Sequence, residues 1–236
     1  DHGYILAGYT FSYGAGSSDV MLLKTDANGL MVWQKTFGGS GTEKGQSVIH
    51  VANGGYVVVG GSTSYGAGSY DVYLLKTDEN GNLLWNKTYG GADYDYGNSV
   101  QQTTDGGYII AGGTGLFLSQ AKSAYLLKTD GSGNLLWSKT FGGPNSENAY
   151  SVIQSSDGGY VLAGVTRSFG NNEDVYLVKT DDSGGLVWQK NYGGSGDDRA
   201  NSVIQATNGD YLLVGYTRSY GNGQLDAYLL EVDGMG

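Results

Sequence analysis

Two kinds of hydrophobic pattern alternate along this chain. After each Gly-Tyr pair comes a short run apolar on both faces, such as Tyr160 to Gly164, and a Ser/Gly-rich loop then leads to a second such run. In Asp71 to Lys76, Val72 and Leu74 point one way while Tyr73 and Leu75 point the other. Apolar runs of this length predict strands buried on both sides. The next run differs: Trp85, Lys87 and Tyr89 share one face and Asn86 and Thr88 the other, predicting a half-wet outer strand. A shorter strand, for example Ser151 to Gln154, precedes each set and ends in a Gly-rich turn. Between third and fourth strands stand Asp78-Glu79-Asn80-Gly81 and its counterparts at Asp26, Asp130 and Asp181, where Asp opens the turn and Gly takes its left-handed position.

The pattern recurs with a fixed period. The tyrosine of the Gly-Tyr pair stands at Tyr4, Tyr56, Tyr108 and Tyr160, with Tyr211 after Asp210, giving steps of 52, 52, 52 and 51 residues. Trp33, Trp85, Trp137 and Trp188 repeat in the same register. A period near fifty belongs to propeller blades rather than leucine-rich or helical repeats. Four antiparallel strands per copy, the inner ones buried twice over, describe a blade between two neighbours. The expected fold is therefore all-β, a five-bladed β-propeller of four-stranded antiparallel blades. It forms one domain over residues 1–236, with repeats at about 1–39, 40–91, 92–143, 144–194 and 195–236. Strand signals number 18 where five full blades need 20, and the two missing strands are consecutive in circular order. An incomplete closing region is expected, or a piece of a longer protein.

Composition supports short strands and tight turns, with 43 Gly, 20 Tyr and one Pro. A net charge of −10 excludes a nucleic-acid partner, whose phosphates need a basic surface. Absent cysteine excludes disulfides and thiolate metal sites, and no apolar run is long enough for a membrane span.

The recurring Asp-Gly-Gly-Tyr, Ala-Gly or Val-Gly, Asp-Val-Tyr-Leu-Leu-Lys-Thr-Asp and Trp-x-Lys-Thr-Tyr-Gly-Gly segments resemble repeats of secreted and cell-surface proteins of bacteria and archaea. The resemblance covers the whole chain. It implies a propeller fold and an extracellular or cell-surface location, and it brings no ligand or catalytic residue with it.

Chemistry is sparse. The two histidines, His2 and His50, stand at positions held by other residues in the remaining copies, so no catalytic residue and no imidazole-based metal site is expected. The main functional expectation is a non-enzymatic binding or structural module presenting loops to a protein or glycan partner. The alternative is a carbohydrate-active enzyme working with two carboxylates, drawn from Asp93-Tyr94-Asp95-Tyr96 or Asp197-Asp198-Arg199. Differences between copies mark candidate ligand-binding residues. Phe117 and Leu118 lie in a loop peculiar to the third copy, and Arg167 and Arg218, in adjacent copies, suit an anionic group. Glu43, Asp95, Glu147 and Asp198 fall in one column, each four residues before a serine. They are candidate metal ligands for a hard cation such as Ca²⁺, with local hydrogen bonding in every blade as the other reading.

Overall fold

A computed structural model describes residues 2–115, 122–170 and 172–236 of the chain. Among these residues the secondary structure is all strand, arranged in five sheets of three or four. The first holds β1 (Ile5–Thr10), β2 (Asp19–Thr25) and β3 (Met31–Phe37). The second holds β4 (Glu43–His50), β5 (Tyr56–Ser62), β6 (Asp71–Thr77) and β7 (Leu83–Tyr89). The third holds β8 (Tyr94–Gln102), β9 (Tyr108–Gly115), β10 (Ser123–Thr129) and β11 (Leu135–Phe141). The fourth holds β12 (Glu147–Gln154), β13 (Tyr160–Thr166), β14 (Asp174–Thr180) and β15 (Leu186–Tyr192), and the last β16 (Asp198–Gln205), β17 (Tyr211–Thr217) and β18 (Asp226–Val232). Within every sheet the strands follow in sequence order. Among the described residues no helix is long and apolar enough to cross a membrane.

The two inner strands behave as their patterns require. Every residue of β5, β6, β13 and β14 is buried, whereas β7 and β15 are mostly exposed. Registers repeat from sheet to sheet, with Tyr56 opposite Thr77 and Ser62 opposite Asp71 in one, Tyr160 opposite Thr180 and Thr166 opposite Asp174 in another. Bulges repeat as well: β4 slips against β5 at Gly45/Ser47, and β12 against β13 at Ala149/Ser151. Gly164 is required beside the latter, because a Cβ there would stand 1.9 Å from the Asn148 carbonyl oxygen. The turns after β2, β6 and β14 are closed by their first Asp. Asp78 Oδ1, for instance, accepts from the N–H groups of Asn80 (2.9 Å) and Asn82 (2.8 Å), and Gly81 sits at φ 75°.

The chain divides into two compact units, Asp1–Tyr108 with Asp130–Asn134, and Ile109–Thr129 with Leu135–Gly236. In the first unit, Val20 and Leu22 of β2 pack against Tyr56, Val58, Tyr73 and Leu75 of the next sheet. In the second, one face of β13 and β14 (Tyr160, Leu162, Tyr176, Val178) packs on Ile109, Ala111 and Leu126. The other face (Val161, Ala163, Val175, Leu177) packs on Ala200, Val203, Tyr211 and Leu213. The tryptophans belong to these seams. Trp33 meets Tyr56 with ring centroids 5.9 Å apart, and Trp137 meets Tyr160 at 5.8 Å. Each also covers a turn glycine of the following sheet or segment, Trp33 on Gly81 and Trp137 on Gly184. Structural packing, not sugar stacking, accounts for their repetition.

Candidate functional site

The carboxylate column is buried. Glu43, Glu147 and Asp198 each open the first strand of a sheet, Asp95 is the second residue of its own, and all four have relative exposures of 0 to 2%. Each takes hydrogen bonds from its own surroundings. Glu43 accepts from Gly39 N (2.7 Å) and Ser62 Oγ (2.7 Å), Glu147 from Gly143 N (2.9 Å) and Thr166 Oγ1 (2.8 Å), and Asp95 from Gly91 N (2.9 Å). Asp198 accepts from Gly194 N (2.9 Å), Ser219 Oγ (2.5 Å) and Thr217 Oγ1. Among the described residues no three His, Cys, Asp or Glu side chains gather where they could hold a metal ion. The bonds that each carboxylate accepts within its own sheet and the loop before it are those of the local hydrogen-bonding reading.

What the structure does create is carboxylate pairs. The Asp that begins the third strand of one sheet reaches the column carboxylate of the next, and both close on one glycine. In the first unit, a Cβ on Gly90 would stand 2.4 Å from Asp95 Oδ2 and 2.5 Å from Asp71 Oδ1. In the second, a Cβ on Gly193 would stand 2.1 Å from Asp174 Oδ1 and 2.8 Å from Asp198 Oδ2. The two oxygens of a pair are thus within about 5 Å, close enough for each charge to disfavour the other. Burial first, and then the partner carboxylate, push the Asp71 and Asp174 carboxyls above the usual range, against the hydrogen bonds they accept. Ser123 replaces the first member in the third sheet, which leaves Glu147 unpaired in this sense.

The Asp174–Asp198 pair has surroundings that the others lack. Asn191 replaces the threonine of Thr36, Thr88 and Thr140, and its Nδ2 donates to Asp174 Oδ2 at 3.3 Å. Asn191 also lines a cleft of about 200 Å³ with Phe169, Tyr176, Gln189 and Lys190. Phe169, 41% exposed, stacks on Tyr176 at 5.8 Å. Beside the pair, the buried Glu173 takes Arg167 on Oε1 (Nη2 at 2.6 Å, Nε at 2.9 Å) and Arg199 on Oε2. Its carbonyl receives Asp198 N at 2.7 Å, which ties the start of β14 to the start of β16. A larger cavity in the first unit, about 560 Å³, is lined by Gly3, Ile5, Lys24, His50, Tyr56 and Glu79. It offers a single carboxylate, Glu79, held low in pKa by Gly55 N–H and His50.

The expected two-arginine site takes a different form. Arg167 is held by Glu173, while Arg218 lies 3.5 Å from Asp197 Oδ2 and donates its backbone N–H to the Asp197 carbonyl. Arg167 converges instead with Arg199, on one glutamate. Phe117 and Leu118 lie outside the described residues. Sequence reasoning named Asp198 and Arg199 but missed Glu173, Asn191 and the Phe169–Tyr176 cleft. The signal was there in the columns: Glu173 stands where the other copies carry Ser18, Tyr70, Lys122 and Leu225.

No protein-family model and no curated protein matches the chain. Solved structures do resemble it. NanB, solved together with Optactamide, superposes with a TM-score of 0.58 at 9% identity over 92% of this chain and 36% of its own. The Pan2 WD40 domain of Neurospora crassa gives 0.50 at 11% over 85% of this chain and 59% of its own. An endo-arabinase from Bacteroides thetaiotaomicron gives 0.48 at 13%, over 98% and 89%. The architecture is propeller-like. The chain spans about a third to three fifths of the length of the first two. A putative 6-phosphogluconolactonase from Bacteroides uniformis gives 0.51 at 12%, over 97% of this chain and 67% of its own. This likeness to a protein described as an enzyme corrects the expectation of a non-enzymatic binding or structural module; at such identities it is the fold that is shared.

Proposed function

We propose that this protein is a carbohydrate-active enzyme that cleaves a glycosidic bond at the Asp174–Asp198 pair, on a five-bladed propeller presented at the cell surface or outside the cell. One observation carries the reading: a carboxylate pair whose facing oxygens lie no more than about 5 Å apart, closer than an inverting glycosidase keeps its two carboxyls, is bridged by Asn191 to an aromatic cleft. Asp174, whose carboxyl is pushed up by burial and by Asp198, suits the acid that protonates the leaving oxygen. Asp198 suits the nucleophile once the sugar takes the place of one of the hydroxyl donors, Thr217 or Ser219, on its carboxylate. Phe169, exposed and backed by the buried Tyr176 ring, offers an apolar face to one sugar ring, and Gln189 and Asn191 offer hydrogen bonds to its hydroxyls. The Glu173 bridge to Arg167 and Arg199 positions the start of both strands and touches no substrate.

The test is hydrolysis of a panel of aryl glycosides by the wild-type chain and by Asp174→Asn and Asp198→Asn. Turnover that falls at least about 100-fold in both variants, with both still folded at the assay temperature and Asp198→Asn losing no more than about 1 to 2 kcal/mol, as expected of an amide in the buried column, supports the assignment. Activity that survives both substitutions would place the chemistry elsewhere.

A further inference from the structure

We infer that Phe169 and the carbonyl of Gly142 form a subsite that selects a neutral sugar by one of its hydroxyls; the inference rests on the reading of Asp174 and Asp198 as the place of cleavage. The loop after the second strand of a sheet carries an aromatic residue at one repeat position, Tyr13, Tyr65, Phe169 and Tyr220. In three sheets that ring lies against a tyrosine of the third strand at nearly the same distance, Tyr65 on Tyr73 at 5.7 Å, Phe169 on Tyr176 at 5.8 Å and Tyr220 on Tyr228 at 5.7 Å. The tip of the ring points at the glycine pair that precedes the sheet. There Tyr65 donates its hydroxyl to the Gly38 carbonyl at 2.9 Å, and Tyr220 donates to the Gly193 carbonyl at 2.8 Å.

Phe169 reaches the same place without the hydroxyl. A Cβ on Gly143 would stand 3.4 Å from Phe169 Cζ, as one on Gly194 would from Tyr220 Cζ. The Gly142 carbonyl, counterpart of those of Gly38 and Gly193, therefore meets a ring that has no hydroxyl proton to give. Gly142 is also exposed, where Gly38 and Gly193 are half-buried. A carbonyl oxygen only accepts, so a sugar hydroxyl can complete it, whereas a carboxylate or sulfate brings acceptors alone. The buried Glu147 carboxylate, bonded to Gly143 N at 2.9 Å, disfavours an anion there further. Phe169 is in turn tied to the cleavage site, because Asn191 Nδ2 donates both to the Phe169 carbonyl (3.4 Å) and to Asp174 Oδ2 (3.3 Å). A sugar ring lying on Phe169 with its scissile bond at Asp174 turns a hydroxyl remote from that bond toward Gly142.

Steady-state cleavage of an aryl glycoside and of its monodeoxy derivatives tests this, in the wild-type chain, Phe169→Tyr and Phe169→Leu. In the wild type, kcat/KM should fall about tenfold for the derivative that lacks the hydroxyl facing Gly142. Phe169→Tyr should lower kcat/KM for the parent sugar about tenfold and bring the parent-to-deoxy ratio close to one, because the added hydroxyl takes the carbonyl as Tyr65 and Tyr220 do. Those two residues also show that the larger ring fits. Phe169→Leu, which removes the ring and spares the carbonyl, should lower both substrates and keep their ratio. A ratio left unchanged by Phe169→Tyr, or a wild-type chain indifferent to every monodeoxy derivative, would overturn the inference and leave the Asp174–Asp198 reading intact. Calorimetric titration with the corresponding methyl glycosides separates the two further. In a chain without turnover, binding with the same ratios upholds the subsite and refutes cleavage, and the absence of binding overturns both.

Discussion

Replacing Glu147 by alanine deprives three donors of one acceptor. Gly143 N loses a bond of 2.9 Å, Thr166 Oγ1 one of 2.8 Å, and Ser168 Oγ its short contact. Thr166 is fully buried, so its hydroxyl would bear the whole cost of an unmade bond, while Gly143 and Ser168 are nearer to water. At about 1 to 3 kcal/mol for a buried orphan and less for the other two, the loss comes to about 3 to 5 kcal/mol. That is a large share of the 5 to 15 kcal/mol typical of a domain. Glu147→Gln keeps the shape and one carbonyl oxygen but turns an amide N–H₂ toward a donor, for about 1 to 2 kcal/mol. Urea unfolding followed by far-UV circular dichroism measures both. A Glu147→Ala chain within about 0.5 kcal/mol of wild type would refute the view that this column is a set of local hydrogen-bond anchors.

Three further outcomes are expected. EDTA should leave the thermal midpoint unchanged, and mass spectrometry should find no bound metal; a fall in midpoint would restore the shared-cation reading of Glu43, Asp95, Glu147 and Asp198. Gly164→Ala, whose Cβ would strike the Asn148 carbonyl at 1.9 Å, should cost about 3 kcal/mol or more. Gly158→Ala, at φ 87° in open space, should cost only about 1 kcal/mol, so equal losses would contradict this use of space. Burial raises the Asp157 carboxyl, but Ser155, Lys179 and Gly159 outweigh it and hold the carboxyl at about 2. A depressed acid contributes stability above its unfolded pKa of about 4 that is lost as pH falls through 2. Because Asp157 is largely exposed, the effect should be a few tenths of a kcal/mol. Asp157→Asn should flatten the melting curve's pH dependence in that window.

The strands were legible because a buried inner strand and a half-wet outer one demand different residue patterns, and four or five copies repeat each demand. The turns were legible for a similar reason: Asp78 and Gly81 each do what only their side chain, or its lack, allows. The carboxylate column could be aligned from sequence, but what its members face could not. Asp174 and Asp198 lie 24 positions apart and meet only because β14 and β16 begin at neighbouring points of adjoining sheets, with Asp198 N bonded to the Glu173 carbonyl. The arginines misled for a related reason. Arg167 and Arg218 occupy one repeat position, yet the nearest carboxylates, Glu173 and Asp197, decide where each side chain goes. Function was hidden by repetition itself, since residues in every copy report folding, and the departures at Glu173 and Asn191 became meaningful only once they were placed beside Asp174.

The central claim is most directly tested by the stereochemistry of cleavage. With an aryl glycoside that the wild-type chain turns over, proton NMR of the first-formed sugar should show the anomeric configuration retained, because a carboxyl pair no more than about 5 Å apart leaves no room for the water of an inverting reaction, and Asp198→Asn should abolish the signal. An inverted product, or cleavage that persists in Asp198→Asn, would contradict the account.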